Sequence, residues 1–128
     1  MKRITYIILF SLMGTTLSCV QETHLKTFNF KVDMKGVANI NNPGIRGQFT
    51  SPSWKELIPL TDTNKDSIYE AKVEFTAAQY DIKFKFENNG EYELENQPNR
   101  SIKFEYEPET FIYEATYNNP ENTTTKIN

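Results

Sequence analysis

Trp54, Lys83, Tyr92 and Asn99 carry between them two aromatic faces, an ammonium and a carboxamide. A sugar ring is amphipathic, so aromatic rings can cover its C–H face while fixed donors and acceptors replace the water lost from its hydroxyls. Trp54 stands in Thr50-Ser51-Pro52-Ser53-Trp54-Lys55-Glu56, where polar neighbours and a proline predict a loop with a partly exposed indole. Lys83, Tyr92 and Asn99 are spaced along a strand, an Asn-Gly turn and a second polar stretch, which together suggest a binding edge beside a hydrophobic sheet.

Other arrangements of reactive types are weaker. Glu91, Glu93 and Glu95 alternate, so on a strand neighbouring carboxylates would lie about 6 to 7 Å apart, a spacing glycoside hydrolysis can use. The run is expected to be exposed, however, and nothing around it suggests the apolar pocket that would raise one carboxyl for acid catalysis. Asp62-Thr63-Asn64-Lys65-Asp66 imitates the opening of a calcium loop, but Ser67 takes the glycine position and Val73 the closing glutamate. It reads as a turn. The only histidine, His24, falls in the polar stretch Val20 to Leu25 and reads as a solvated linker residue. No catalytic group, metal or cofactor is expected.

The elements that must position these residues are strands. Phe28, Phe30, Val32 and Met34 alternate with polar residues, as do Tyr69, Ala71, Val73 and Phe75, then Tyr80, Ile82, Phe84 and Phe86. Asn88-Asn89-Gly90 turns the chain, because Asn and Gly accept the positive φ that tight hairpins require. A strand begins at Ile45, Pro59 places Leu57 to Leu60 at a sheet edge, and Ile102, Phe104 and Tyr106 alternate again. Phe111, Tyr113, Ala115 and Tyr117 suggest a last strand. With no helical periodicity in this region, about seven antiparallel strands at short spacing predict an all-β, immunoglobulin-like sandwich over residues 26–117. Residues 118–128, rich in Asn and Thr and poor in apolar residues, are expected to be a disordered tail.

The first residues have a different character. Met1-Lys2-Arg3 is basic, Ile4 to Leu12 is almost wholly apolar, and small or polar residues lead to Cys19, the single cysteine of the 128-residue chain. This layout predicts a signal peptide over 1–18, too short in its apolar part to remain as a membrane span. Ser18-Cys19 resembles the lipobox of bacterial lipoproteins, with Leu17 one place later than the usual aliphatic residue. That resemblance implies acylation of Cys19, a tether over 19–25, and an exported protein anchored by its N-terminal lipid to the outer membrane. Loss of residues 1–18 leaves 12 basic residues against 17 acidic ones, a net charge of about −5, which argues against nucleic-acid partners and favours a neutral ligand.

Gly47-Gln48-Phe49, Trp54, Pro59-Leu60-Thr61-Asp62, Ile68-Tyr69-Glu70-Ala71, Tyr80-Asp81-Ile82-Lys83-Phe84, Asn89-Gly90-Glu91-Tyr92-Glu93 and Asn99-Arg100-Ser101-Ile102 occur in an order that resembles the starch- and glycogen-binding modules, carbohydrate-binding module families 20 and 48. The resemblance spans about residues 27 to 106 and implies an immunoglobulin-like sandwich that binds α-glucan without catalysis. It implies stacking of glucose on Trp54, a hydrogen bond to sugar hydroxyls from Lys83, a second stacking face at Tyr92 where the family carries tryptophan, and a hydroxyl contact from Asn99. The alternative is an envelope-anchored module that keeps the sandwich but binds a protein partner instead.

Overall fold

The computed structural model describes residues 21–127. The signal peptide expected over 1–18 and the acylation expected at Cys19 lie outside the described residues. Strands account for the regular structure: β1 (His24–Asp33), β2 (Gly44–Gly47), β3 (Ile58–Pro59), β4 (Ile68–Ala77), β5 (Asp81–Asn88), β6 (Glu91–Tyr92), β7 (Arg100–Lys103), β8 (Glu109–Thr116) and β9 (Asn122–Lys126). They form a four-stranded sheet in the order β4-β1-β8-β9 and a five-stranded sheet in the order β3-β2-β5-β6, in which β7 also pairs with β5. The fold is the two-sheet β-sandwich that the alternating sequence predicts.

Its core follows directly from the period of two. Phe28, Phe30 and Val32 of β1 and Ile82, Phe84 and Phe86 of β5 are each at most 1% exposed. The two sheets interlock through these rings: Phe30 meets Phe84 edge-on at 5.1 Å and Phe84 meets Tyr113 of β8 at 5.1 Å. Within the first sheet, Phe28 stacks on Phe111 at 5.1 Å and on Phe75 at 5.7 Å. Each buried ring contributes roughly 1.5–3 kcal/mol by leaving water, so this aromatic layer is the main source of stability.

Several expectations are corrected. Nine strands are present among the described residues where about seven were expected, the additions including the two-residue β3 and β6 and β9, which lies in the stretch expected to be a disordered tail. Three consecutive β-branched threonines, Thr123 to Thr125, pair in register with Glu114, Tyr113 and Ile112, and Lys126 reaches Glu105 at 2.9 Å and also Glu107. Pairing and charge thus order a segment that lacks apolar content. One pair, β1 with β8, is parallel rather than antiparallel. His24 and Leu25, expected in the tether, already belong to β1 opposite Ala77 and Thr76. Tyr80 and Tyr106 keep the apolar phase of their neighbours yet are 71% and 52% exposed, since β5 starts at Asp81 and β7 ends at Lys103.

Two charged pairs sit inside the sandwich. Lys26 Nζ contacts Glu109 Oε1 at 2.6 Å and donates to the carbonyls of Glu105 and Glu107 at 2.8 and 2.6 Å. Glu93, 2% exposed, accepts from Arg100 Nε at 2.5 Å and Nη2 at 2.9 Å, and from the backbone amides of Phe86 and Asn118 at 3.1 and 2.8 Å. Burial lowers the proton affinity of Arg100, but the bonds and charge of Glu93 outweigh it and leave the guanidinium held above its ordinary value.

Candidate functional site

The outward face of the second sheet is built on β5. Alternation turns Lys83, Lys85 and Glu87 away from the core, and the register sets Ser101, Arg46 and Gly44 opposite them. Asn89 and Gly90 take φ of 55° and 77°, the two left-handed residues of a tight hairpin, and this turn returns the chain so that Tyr92 pairs with Glu87. Tyr92 therefore joins the same outward face.

Trp54 arrives there from the other edge. Its φ of 65° is left-handed, which a bulky residue adopts only when its surroundings determine it. Here Trp54 N donates to Gly47 O at 2.9 Å and Lys55 N to Pro52 O at 3.0 Å. Thr50 Oγ1 reaches the carbonyls of Gly47 and Pro52, both at 2.9 Å, and Arg46 Nη1 donates to Lys55 O. Gly47 is required at the base of this loop, because a Cβ would stand 2.7 Å from Phe84 Cβ and 2.8 Å from Lys83 O.

The outcome is an aromatic pair. The rings of Trp54 and Tyr92 lie 6.2 Å apart at 81° to one another, with Tyr92 46% exposed and Trp54 partly so. On the same face, Arg46 Nε donates to Glu87 Oε2 at 2.5 Å, and this hydrogen bond to Glu87 holds the Arg46 guanidinium above its ordinary value. Glu93, next to Tyr92, fastens the end of β6 to the core through Arg100.

Of the four residues singled out in the sequence, the structure brings Trp54 and Tyr92 together. Lys83 shares their face but stands four residues before Glu87, about 13 Å along the strand. Its ammonium lies 3.6 Å from Asp81 and its amide donates to Gln48 Oε1 at 2.8 Å. Asn99 is exposed just before β7, on the opposite edge of β5 from the Trp54 loop. Lys85, between Lys83 and the pair, donates to the carbonyls of Leu94 and Gln97 at 3.0 and 3.1 Å. Arg46, Glu87 and Gln48 were not singled out in the sequence; Arg46 and Glu87 alternate outward like any surface charge, and only the pairing of β2 with β5 sets them side by side.

The glutamate run loses its regular spacing. β6 ends at Tyr92 and Leu94 takes a left-handed φ of 51°, so Glu91, Glu93 and Glu95 do not line one side of a strand, and Glu93 is consumed by Arg100. Asp62 is used in a turn, accepting from the amides of Asp66 and Ser67 at 3.1 and 3.0 Å. The carboxylates of Glu105, Glu107 and Glu109 lie within 4.8 Å of one another, but the ammonium of Lys126 sits among all three. No protein-family model matches this chain, and no curated protein matches its sequence.

Proposed function

We infer that the domain binds carbohydrate without transforming it, taking an α-glucan on the face that carries Trp54 and Tyr92. The observation that carries this reading is the aromatic pair itself: two rings near a right angle, reachable by solvent, one of them held in a costly backbone conformation by at least five hydrogen bonds of its loop. Rings set at such an angle present faces in different directions. A flat β-linked chain meets only one of them, whereas the curved α-linked chain offers successive sugar faces that turn in the same sense. Lys83, Gln48 and Asn99 supply donors and acceptors for hydroxyls beyond the stacked units, and the acidic net charge suits a neutral ligand.

Binding through two rings and a few hydroxyl contacts falls in the micromolar to millimolar range, roughly 4 to 8 kcal/mol in total. The resemblance to starch- and glycogen-binding modules supports the ligand class, and the lipobox-like Ser18-Cys19 supports a site of action at the cell envelope on a lipid anchor. Affinity electrophoresis of the chain from Cys19 onward tests the reading in gels containing amylose, glycogen or cellulose. Retardation by the α-glucans that disappears in Trp54→Ala supports it, and equal migration in every gel removes it.

A second reading is favoured by the engagement of the lysines. Lys83 faces Asp81 and Lys85 caps two carbonyls, so an envelope protein presenting an apolar residue to the Trp54–Tyr92 corner would need no hydroxyl contacts. Unretarded migration together with loss of a co-purifying envelope protein in Trp54→Ala would favour this module over the glycan-binding one.

A further inference from the structure

Five large apolar or aromatic side chains are strongly exposed among the described residues: Leu25, Tyr80, Tyr92, Tyr106 and Ile127. Tyr92 belongs to the site above. The other four gather at the opposite end of the sandwich. Leu25 is the second residue of β1; Tyr80 immediately precedes β5; Tyr106 lies in the loop from β7 to β8; Ile127 follows β9 and donates its amide to Thr110 O at 2.9 Å. The registers that set His24 beside Ala77, Lys26 beside Glu109, Asp81 beside Lys103 and Phe111 beside Lys126 put all these positions at one end.

The chain enters the domain at this same end. Tyr106 Oη donates to Glu22 O at 3.3 Å, and Gln21 Nε2 donates to Ala78 O at 3.5 Å, so residues 21 and 22 lie against the exposed rings. Cys19 is only two residues further on, a span of at most about 7 Å even when fully extended. We propose that this end of the sandwich is a membrane-docking surface: Leu25, Tyr80, Tyr106 and Ile127 rest in the headgroup region of a bilayer, and the Trp54–Tyr92 corner points away from it. Tyrosines with an apolar body and a hydroxyl tip suit that interface. The charges here form no basic patch and carry a slight acidic excess, a single Lys126 being shared by Glu105 and Glu107 while Lys103 lies opposite Asp81. The surface therefore fits a zwitterionic bilayer and not an anionic one. Tyr92 pairs with Glu87, six residues along β5 from Asp81, which holds the aromatic corner roughly 20 Å above the docked end.

The proposal rests on the anchoring read at Cys19 only for how the chain reaches a membrane, and the experiment supplies that anchor chemically. The chain from Cys19 onward, which contains every described residue, is coupled through its single thiol to phosphatidylcholine vesicles bearing a maleimide lipid. A lone tryptophan is placed by Trp54→Phe combined with Tyr106→Trp, Tyr80→Trp or Tyr92→Trp, and the lipids carry bromine near the headgroup. Blue-shifted, quenched emission for Tyr106→Trp or Tyr80→Trp, with unquenched emission for Tyr92→Trp, is the expected result. Two substituted end positions keep the test decisive if one variant fails to fold. Emission unquenched at both, or quenched equally at all three, overturns the proposal. So does a blue shift without vesicles accompanied by dimer sedimentation, which would show that a second copy covers this end. Acylation of Cys19 in the cell is read separately, from the mass of the membrane-extracted protein, so its failure and the failure of the surface are distinguishable.

Discussion

Replacing Glu93 by alanine should unfold much of what holds Tyr92 in place, and its size follows from what the carboxylate touches. Glu93 and Arg100 side chains are 0% and 2% exposed. Removing the carboxylate leaves a guanidinium inside the sandwich with only Tyr113 Oη at 3.3 Å, Thr116 O at 3.2 Å, Asn119 O at 2.7 Å and the Phe86 ring at 4.9 Å. It also orphans the amides of Phe86 and Asn118. Breaking a buried pair from one side costs roughly 3–5 kcal/mol, a large share of the roughly 5–15 kcal/mol available to a domain. At roughly 4–8 °C per kcal/mol for a domain of this size, thermal unfolding should fall by at least about 12 °C. Arg100→Met alone leaves Glu93 uncompensated and should cost a similar amount, whereas Glu93→Ala with Arg100→Met removes both charges and should cost clearly less than the sum. Thermal and urea unfolding of the four proteins form a double-mutant cycle. Additive losses, or a Glu93→Ala protein within about 0.5 kcal/mol of wild type, would refute the view that this pair is a desolvated unit.

Three further outcomes are expected. Trp54→Ala and Tyr92→Ala should each weaken α-glucan binding by at least about tenfold, roughly 1.4 kcal/mol, with Trp54→Phe intermediate, measured by titration calorimetry with a maltooligosaccharide. Gly47→Ala must push a methyl into Phe84 and the Lys83 carbonyl and should cost roughly 1–3 kcal/mol in urea unfolding, with a matching loss of glucan affinity because Gly47 O seats Trp54. Lys126→Ala should free β9, seen as lost amide protection at Thr123 to Thr125 while β5 stays protected. Acid should act similarly: the Lys126 hydrogen bond holds the Glu107 carboxyl below its ordinary value, so its contribution is present above the unfolded-state value and is lost as pH falls through the lower folded one.

Local pattern carried most of the sandwich. The phases of Phe28–Phe30–Val32 and Ile82–Phe84–Phe86 identify two central strands, Asn89-Gly90 identifies the hairpin, and Pro59 identifies an edge. Where a strand starts is not in the alternation, and so Tyr80 and Tyr106 share the apolar phase while standing outside the ladder. β9 has no apolar face, and its only local cue is the run of threonines; the ladder to β8 and the Lys126 charges that order it are long-range. For the same reason Glu93 and Arg100, or Lys26 and Glu109, look like surface charges until the fold brings them together. The meeting of Trp54 and Tyr92 depends on a loop from one edge of β5 and a hairpin from the other, a relation that no periodicity contains.

The parallel pairing of β1 with β8 joins Lys26 to Glu109 and Asp33 to Thr116, residues 83 positions apart in sequence. A chain emerging in order can zip β1 onto β4 early, but the other flank of β1 stays unmatched until β8 has appeared. Closing so wide a loop is slow, in the millisecond-to-second range typical of nonlocal β topologies. During that interval a bare, phenylalanine-rich strand edge is open to adhesion with its neighbours. Maturation of this domain is therefore governed by arrival of its last quarter, and shortening the chain before Thr116 should yield aggregates rather than a smaller folded core.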